Sequence, residues 1–364
     1  MTTQLAIVIP VLNEKGNILP LLTALEGILK GISWEVIFVD DDSGDGTAEH
    51  VREIALTRPH VRCLQRLGRR GLSSACVEGM LASAAPFLAV MDGDLQHDER
   101  LLPCMFEALS REDLDIVVGS RYTVGGGTGD WSRSRMFASR FATYLAHLVV
   151  RVELSDPMSG FFMLRRTFLD ATMHCLSTKG FKILLDLFAS APAPARFREL
   201  PFTFRNRQWG ESKLDSLVVW EFLLLLLDKT VGVWFPVHFV MFVLVGLVGA
   251  LAHIILLGLF LFSCHFTFFT AQAGATVVAM IVNFFLNNAF THRDQKLKDG
   301  ELPLGLMIFM LLCSIGAGVN FAVASSLYDN HIPWWFAGVL GAVIGGVLNY
   351  AATAHFTWRR NRLH

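Results

Sequence analysis

The chain has 364 residues, 53% of them hydrophobic and only 17% charged, with a net charge of −1. Such a composition is apolar for a soluble protein, a run of 63 residues without Asp, Glu, Lys or Arg excludes a wholly soluble chain and a disordered one, and the lack of any basic block argues against nucleic acid as a partner. Charge is also unevenly placed: residues 1–216 hold 24 Lys/Arg and 26 Asp/Glu, residues 217–364 only 7 and 6.

The first apolar stretch, Leu5–Leu12, has no basic segment before it and runs through Pro10 into Asn13-Glu14, which reads as a buried strand and not as a signal peptide. Further short apolar runs follow at Trp34–Asp40, Phe87–Asp92 and Asp115–Ser120. Continuous Val/Ile/Phe runs of this length predict strands covered on both faces. Between the first two, Leu21, Leu22, Leu25, Ile28 and Leu29 recur at helical spacing, with Gly31 expected as the C-cap. Alternation of this kind predicts a doubly wound α/β domain with a mostly parallel sheet. The six cysteines form no CxxC pair, so reduced thiols are expected and a zinc ribbon or dithiol site is not.

Ligands bind at the carboxyl ends of the strands in such sheets, and polar clusters stand at all four ends: Pro10 to Glu14, Asp40 to Thr47, Asp92 to His97 and Gly119 to Arg121. Asp92 and Asp94 alternate with Gln96, so the three point to one side of an extended segment. They supply the oxygen ligands that Mg²⁺ or Mn²⁺ prefers. Read against this, an isolated Asp-x-Asp is also a common helix-capping turn; its place at a strand end favours the metal. In the second cluster Asp42 or Ser43 is the expected N-cap and Gly44-Asp45-Gly46 a turn, while Asp40 and Asp41 are better placed to accept from a base or ribose. Adjacent carboxylates need a positive or donating group facing them. Gly125–Gly129 lacks the Lys-Ser/Thr ending of a phosphate loop and is read as a flexible flap. Trp131, Arg133, Arg135, Ser139 and Arg140 follow, suited to phosphate or a membrane surface, or simply a solvated helix face.

Leu217–Thr230 is apolar with Glu221, Asp228 and Lys229 along it, as in an interfacial helix laying the first domain on a membrane. From Thr230 to His292 no Asp, Glu, Lys or Arg occurs in 63 residues, room for two spans of about 20 residues. Four spans are expected, near 235–260, 266–290, 303–327 and 333–357. Arg293, Lys296 and Lys298 in the middle loop and Arg359, Arg360 and Arg362 in the tail place both termini, the middle loop and the first domain in the cytoplasm, at the plasma membrane. The spans repeat at an offset of 66 to 67: Asn283-Phe284 through Phe290-Thr291-His292-Arg293 answers Asn349-Tyr350 through Phe356-Thr357-Trp358-Arg359, and His253 answers Asn320. The unit is therefore a duplicated hairpin. Asn283, Asn287, Asn288, Asn320 and Asn349 suit a lipid-headgroup path and also interhelical packing with Gly341, Gly345 and Gly346. Packing is the preferred reading, and the small residues also suit association with further copies of the chain.

The strings IPVLNE, VDDDSGDGT, MDGDLQH, GSRY, SDPMSGFF, FKILLD and WGESKL, in that order, make residues 1–216 resemble a family 2 glycosyltransferase of the GT-A fold. Within it the resemblance is to the polyprenyl-phosphate type, which includes the dolichol-phosphate mannose synthases. Residues 217–231 would be the linker, and 232–364 resemble a GtrA-like membrane domain. The resemblance implies that Pro10, Asn13, Glu14, Asp40 and Asp41 contact the nucleoside, and that Asp92, Asp94 and Gln96 hold the metal and sugar diphosphate. It gives Arg121, Arg133, Arg135 and Ser139 to the acceptor phosphate, and Lys182, Arg205, Ser212 and Lys213 to the donor phosphates. Asp94, Arg121 and Lys182 are the implied catalytic residues. Asp42 and Gly44 depart from the Asn and Pro that the family often carries there. The implied reaction is inverting transfer of a hexose, with mannose from GDP-mannose ahead of UDP-glucose or another UDP-sugar, to dolichyl or another polyprenyl phosphate. A processive polysaccharide synthase is disfavoured by the lack of a QxxRW string, and a flippase role of the membrane half stays open beside transfer.

Overall fold

The structure, a computed structural model, describes residues 2–129, 133–150, 152–177, 182–205, 216–230, 237–291, 297, 299–330, 340, 344, 347–353 and 355–357. Strand and helix alternate first through β1 (Leu5–Val11), α1 (Lys15–Ile28), β2 (Trp34–Asp40), α2 (Thr47–Ala55), β3 (Val61–Gln65), α3 (Leu72–Leu81), β4 (Phe87–Val90), α4 (Leu101–Arg111) and β5 (Ile116–Ser120). Then come α5 (Arg133–Ala146), β6 (Phe162–Arg165), α6 (Arg166–Thr172), α7 (Ile183–Ser190), β7 (Phe197–Pro201) and α8 (Ser216–Thr230). The seven strands form one sheet in the order β3-β2-β1-β4-β6-β5-β7. Only β6 runs antiparallel, to β4 and β5 on its two sides. Every residue of β1 and β5 is buried, because helices cover both faces of the sheet and leave one apolar core on each.

The four apolar runs are β1, β2, β4 and β5. The other three strands, VRCLQ, FMLR and FRELP, are only four or five residues long and each carries a charge; β3 and β7 are the sheet edges, where exposure tolerates such residues. α1 buries Ile18, Leu21, Leu22 and Leu25 on one face. Its C-cap is Leu29, not Gly31; Gly31 takes the left-handed φ of 88° that turns the chain two residues later. α2 is capped by neither Asp42 nor Ser43. It starts at Thr47 behind Gly46, whose φ is 83°, and Asp45 Oδ1 accepts from the Thr47 N–H and Oγ1. These bonds and one from the Lys15 N–H outweigh burial and hold the Asp45 carboxyl below its ordinary value.

The chain divides into two compact units, Met1–Thr230 and Val231–His364. α8 belongs to the first: Phe222, Leu225 and Leu226 complete the core that also contains α7. Lys229 Nζ reaches Asp186 Oδ1 at 2.7 Å, Cys175 O at 2.9 Å and Ser190 Oγ at 2.7 Å, so the amphipathic segment is pinned at its end by a buried ion pair.

The second unit contains α9 (Val237–Phe262), α10 (Phe268–Leu286), extended by a π-helical turn over Asn287–Thr291, and α11 (Leu302–Asp329), with further helix at 347–353. Among the described residues three helices are long and apolar enough to cross a membrane; most of the expected fourth span lies outside them. The duplication is visible in the packing. A Cβ at Gly249 would clash with the side-chain amide of Asn283, and one at Gly316 with that of Asn349. Likewise the Phe284 and Phe309 rings meet at 5.7 Å and those of Phe242 and Tyr350 at 5.5 Å. The glycines that admit the asparagines are thus 249 and 316; Gly341, Gly345, Gly346 and the Asn320 side chain lie outside the described residues.

Candidate active site

The polar clusters at the carboxyl ends of β1 and β2 interlock. The Asn13 N–H donates to Ser43 Oγ at 2.9 Å, and Asn13 Oδ1 accepts from the Gly44 N–H at 3.0 Å. The Glu14 N–H donates to Thr47 Oγ1, and Glu14 Oε2 accepts from Asn17 Nδ2 at 2.6 Å. Asn13 therefore works as a clamp between two loops, with a φ of 54° that Asn tolerates. Asp41 is likewise engaged from within. Its Oδ1 pairs with Arg66, whose side chain is buried, and its Oδ2 accepts from the Gly71 N–H at 2.8 Å. Arg66, which sequence reasoning passed over, is the facing cation that adjacent carboxylates require. It is further bound to Gly71 O and Ser74 Oγ. Asp40 is fully buried; Oδ2 accepts from the Ser43 N–H at 3.0 Å, while Oδ1 is buried without a hydrogen-bond partner among the described residues, an acceptor suited to a donor from a ligand.

Beyond β4 the chain turns through Leu95, whose φ is 62°. Asp94 is 5% exposed and its Oδ1 accepts from the Gln96 N–H at 3.1 Å. Gln96 Nε2 donates to Arg205 O at 2.9 Å, and the Arg205 N–H returns a bond to Gln96 O at 2.9 Å, which leaves the Gln96 side-chain oxygen as a ligand atom. Two carboxylates and one amide oxygen on alternate residues fit a hard divalent cation. Among the described residues no three His, Cys, Asp or Glu side chains could hold a metal by themselves, so Gln96 and ligand oxygens would have to complete the shell. Arg205 departs from the expectation that it approaches donor phosphates: its guanidinium pairs with Asp98 at 2.5 Å and Glu99 at 2.7 Å, the acids that directly follow the loop.

His97 supports this loop from beneath. It is 2% exposed, its Nδ1 accepts from the Asp92 N–H at 3.1 Å, and its ring stacks on Phe161 at 5.1 Å. Phe202 and Phe204 close the cage at 5.6 and 5.7 Å. The Phe204 ring also lies 5.8 Å from the Arg121 guanidinium. One aromatic side chain therefore joins the loop after β4 to the end of β5. The Gly125–Gly129 segment belongs to the same brace and is not a free flap: the Gly127 N–H donates to Phe202 O, and Gly127 O accepts from the Phe204 N–H.

Arg121 is held by Asp156 through Nε at 2.7 Å and Nη2 at 2.7 Å. Burial lowers the guanidinium's pKa, but the bonds and charge of Asp156 outweigh it and hold it above its ordinary value. Tyr122 Oη donates to Ser139 Oγ at 2.7 Å, which brings α5 against the end of β5 and ties Ser139 to the residue that follows Arg121. Arg133 and Arg135 are in α5; their side chains lie outside the described residues, as do Ser212 and Lys213. Lys182 is the N-cap of α7, and its carbonyl accepts from the Asp186 N–H.

The sequence profile of the glycosyl transferase family 2 matches residues 6–172, and that of the GtrA/DPMS transmembrane domain matches residues 241–358. A dolichol-phosphate mannosyltransferase of Pyrococcus furiosus is 32% identical over 98% of this chain and 99% of its own length. One from Saccharomyces cerevisiae is 38% identical over 61% of this chain and 85% of its own. A structure of glucosyl-3-phosphoglycerate synthase from Mycobacterium tuberculosis with Mn²⁺, UDP-glucose and phosphoglyceric acid aligns with 62% of the chain and 79% of its own, at 16% identity and a TM-score of 0.46. The chain belongs to the family 2 glycosyltransferases, its catalytic domain followed by a GtrA/DPMS membrane domain.

Proposed function

We propose that the protein transfers mannose from GDP-mannose to dolichyl or another polyprenyl phosphate at the cytoplasmic face of the plasma membrane, with inversion to a β-linked product. The observation that carries this reading is the Phe204 ring. It packs on His97 under the Asp92–Gln96 loop and lies 5.8 Å from the guanidinium of Arg121, whose neighbour Tyr122 bonds Ser139, so groups suited to a leaving diphosphate and groups suited to an attacking phosphate meet at one end of the sheet. The names of the relatives support the choice of mannose and of the lipid.

In this reading Pro10, Glu14 and Asp40 receive the nucleoside, while Asn13 and Asp41 shape its pocket. Asp92, Asp94 and Gln96 would hold Mg²⁺ or Mn²⁺, which when bound neutralises charge on the departing diphosphate. Lys182, Ser212 and Lys213 would bind the donor phosphates; Arg205 acts through Asp98, Glu99 and Gln96. Arg121, Arg133, Arg135 and Ser139 orient the acceptor phosphate, whose second pKa near 6 leaves it largely dianionic at neutral pH. Such a nucleophile needs positioning and not a general base. One displacement at the anomeric carbon then breaks the bond to the diphosphate as the lipid phosphate oxygen bonds, and the configuration inverts.

The test is transfer by purified full-length protein from a panel of labelled GDP- and UDP-sugars to a short polyprenyl phosphate, with and without Mn²⁺. Metal-dependent label in the lipid phase from GDP-mannose alone is the expected result. Label only from a UDP-sugar would replace the donor, and no transfer from any donor by folded protein would refute the reading. Scrambling of a lipid-linked sugar in liposomes that survives Asp94→Ala would add a transport role.

A further inference from the structure

Asp156 is fully buried, and among the described residues every hydrogen bond to its carboxylate comes from Arg121. Its Oδ2 accepts from the Arg121 backbone N–H at 3.0 Å and from Nε at 2.7 Å, and its Oδ1 accepts from Nη2 at 2.7 Å. Three donors of one residue on one carboxylate fix both the backbone at the end of β5 and the plane of the guanidinium. The Tyr122 and Phe204 rings lie 5.6 and 5.8 Å from that guanidinium. A second carboxylate holds the turn that carries the first. Glu199 accepts from the Ser155 N–H at 3.0 Å and from the Asp156 N–H at 3.2 Å. Glu199 stands on β7 in register with Val118 of β5, three residues before Arg121. Glu199, the 155–156 turn, Asp156 and Arg121 thus form one connected chain from the sheet edge to the cleft.

A buried ion pair of this kind adds little net stability over well-packed apolar side chains, so stability alone does not explain it. Orientation does: an arginine aimed along one edge offers a ligand a fixed set of N–H vectors, and small misplacements of such a group lower activity steeply. We propose that Asp156, backed by Glu199, is a positioning residue that sets the Arg121 guanidinium for the acceptor phosphate. The proposal rests on the assignment of Arg121 to that phosphate.

The test compares wild-type, Asp156→Asn and Glu199→Gln full-length proteins. Binding of a short polyprenyl phosphate and of GDP with Mn²⁺ is measured separately, together with the two KM values in the transfer assay. In Asp156→Asn the new Nδ2 faces an Arg121 N–H, donor against donor, and the guanidinium is released. Acceptor affinity is expected to fall roughly 10- to 100-fold, with binding of GDP and the donor KM unchanged. Glu199→Gln removes one strong acceptor behind the turn and is expected to show the same acceptor-selective change at smaller size, which keeps the test intact if Asp156→Asn does not fold. Unchanged acceptor binding in a folded variant, or parallel loss of donor and acceptor binding, overturns the proposal. If the wild type binds polyprenyl phosphate no better than the uncharged polyprenol, the Arg121 assignment itself falls, and the inference with it.

Discussion

The two units treat buried polar side chains in opposite ways. In the first, Arg66, Asp156 and Asp186 are buried and each is tied to groups distant in sequence: Asp41, Arg121 and Lys229. In the second, polar side chains bond mostly along their own helix. Asn287 Nδ2 donates to Asn283 O, Thr353 Oγ1 to Asn349 O and Ser314 Oγ to Met310 O, while Asn283 Oδ1 and Asn349 Oδ1 are buried against glycine with no hydrogen-bond partner among the described residues. Among the described residues the exceptions are Asn288, which bonds both the N–H and the carbonyl of Leu297, and Thr276 of α10, whose Oγ1 lies 3.4 Å from His253 Nε2 of α9. A cleft built from irregular strand-end loops needs a pin for each loop. Packed apolar helices are matched by shape, and there Asn283 and Asn349 fit against glycine by volume.

The comparison can be broken at graded points. The largest effect belongs to the cleft. Asp94→Ala removes a ligand oxygen from the leaving-group side and should lower transfer by on the order of 10³-fold, with an unchanged circular dichroism spectrum; near-normal turnover would remove Asp94 from the metal set. Next, Lys229→Met leaves Asp186 charged and buried, which should destabilise the first unit by about 3–5 kcal/mol. Faster hydrogen exchange in α7 and α8 would register it, and adding Asp186→Asn should recover part of the loss. In the membrane unit, Gly249→Ala and Gly316→Ala drive a methyl into Asn283 and Asn349. Each should cost about 1–3 kcal/mol by overpacking, read as a lower melting temperature in detergent and relieved by Asn283→Ala or Asn349→Ala in the same chain. Unequal responses of the two glycines would show that the duplication is not equivalent in energy. The smallest effect is at the sheet edge, where Arg196 holds the Asp115 carboxyl below its ordinary value against burial. A depressed carboxyl stabilises the fold above its unfolded pKa near 3.9 and loses that contribution as pH falls through the lower folded value. Asp115→Asn should therefore lower stability slightly at neutral pH, with the difference from wild type vanishing as pH falls below the folded value; urea unfolding at neutral and at acid pH checks both.

Much of the site was legible because four apolar strands end abruptly in polar residues, and a parallel sheet brings such ends together. The 66-to-67-residue repeat likewise foretold a duplicated hairpin, whose equivalent contacts appear at Asn283 and Asn349. The missed residues share one cause. Arg66, Asp156, Phe202 and Phe204 reach the cleft through pairings far apart in sequence: Arg121 and Asp156 are 35 residues apart, and the antiparallel β6 that returns the chain between β4 and β5 is only four residues long. No local periodicity reports such a contact. Asn13, Asp41 and Arg205 were expected to face ligand because of their residue types, but type does not reveal whether a partner within the fold takes the side chain first.

The most direct test of transfer by a single displacement is the anomeric configuration of the product. Purified protein would be given GDP-α-mannose, Mn²⁺ and a short polyprenyl phosphate, and the lipid product examined by NMR for its one-bond C1–H1 coupling. A β-linked mannosyl phosphate is the predicted result; an α-linked product would contradict the account.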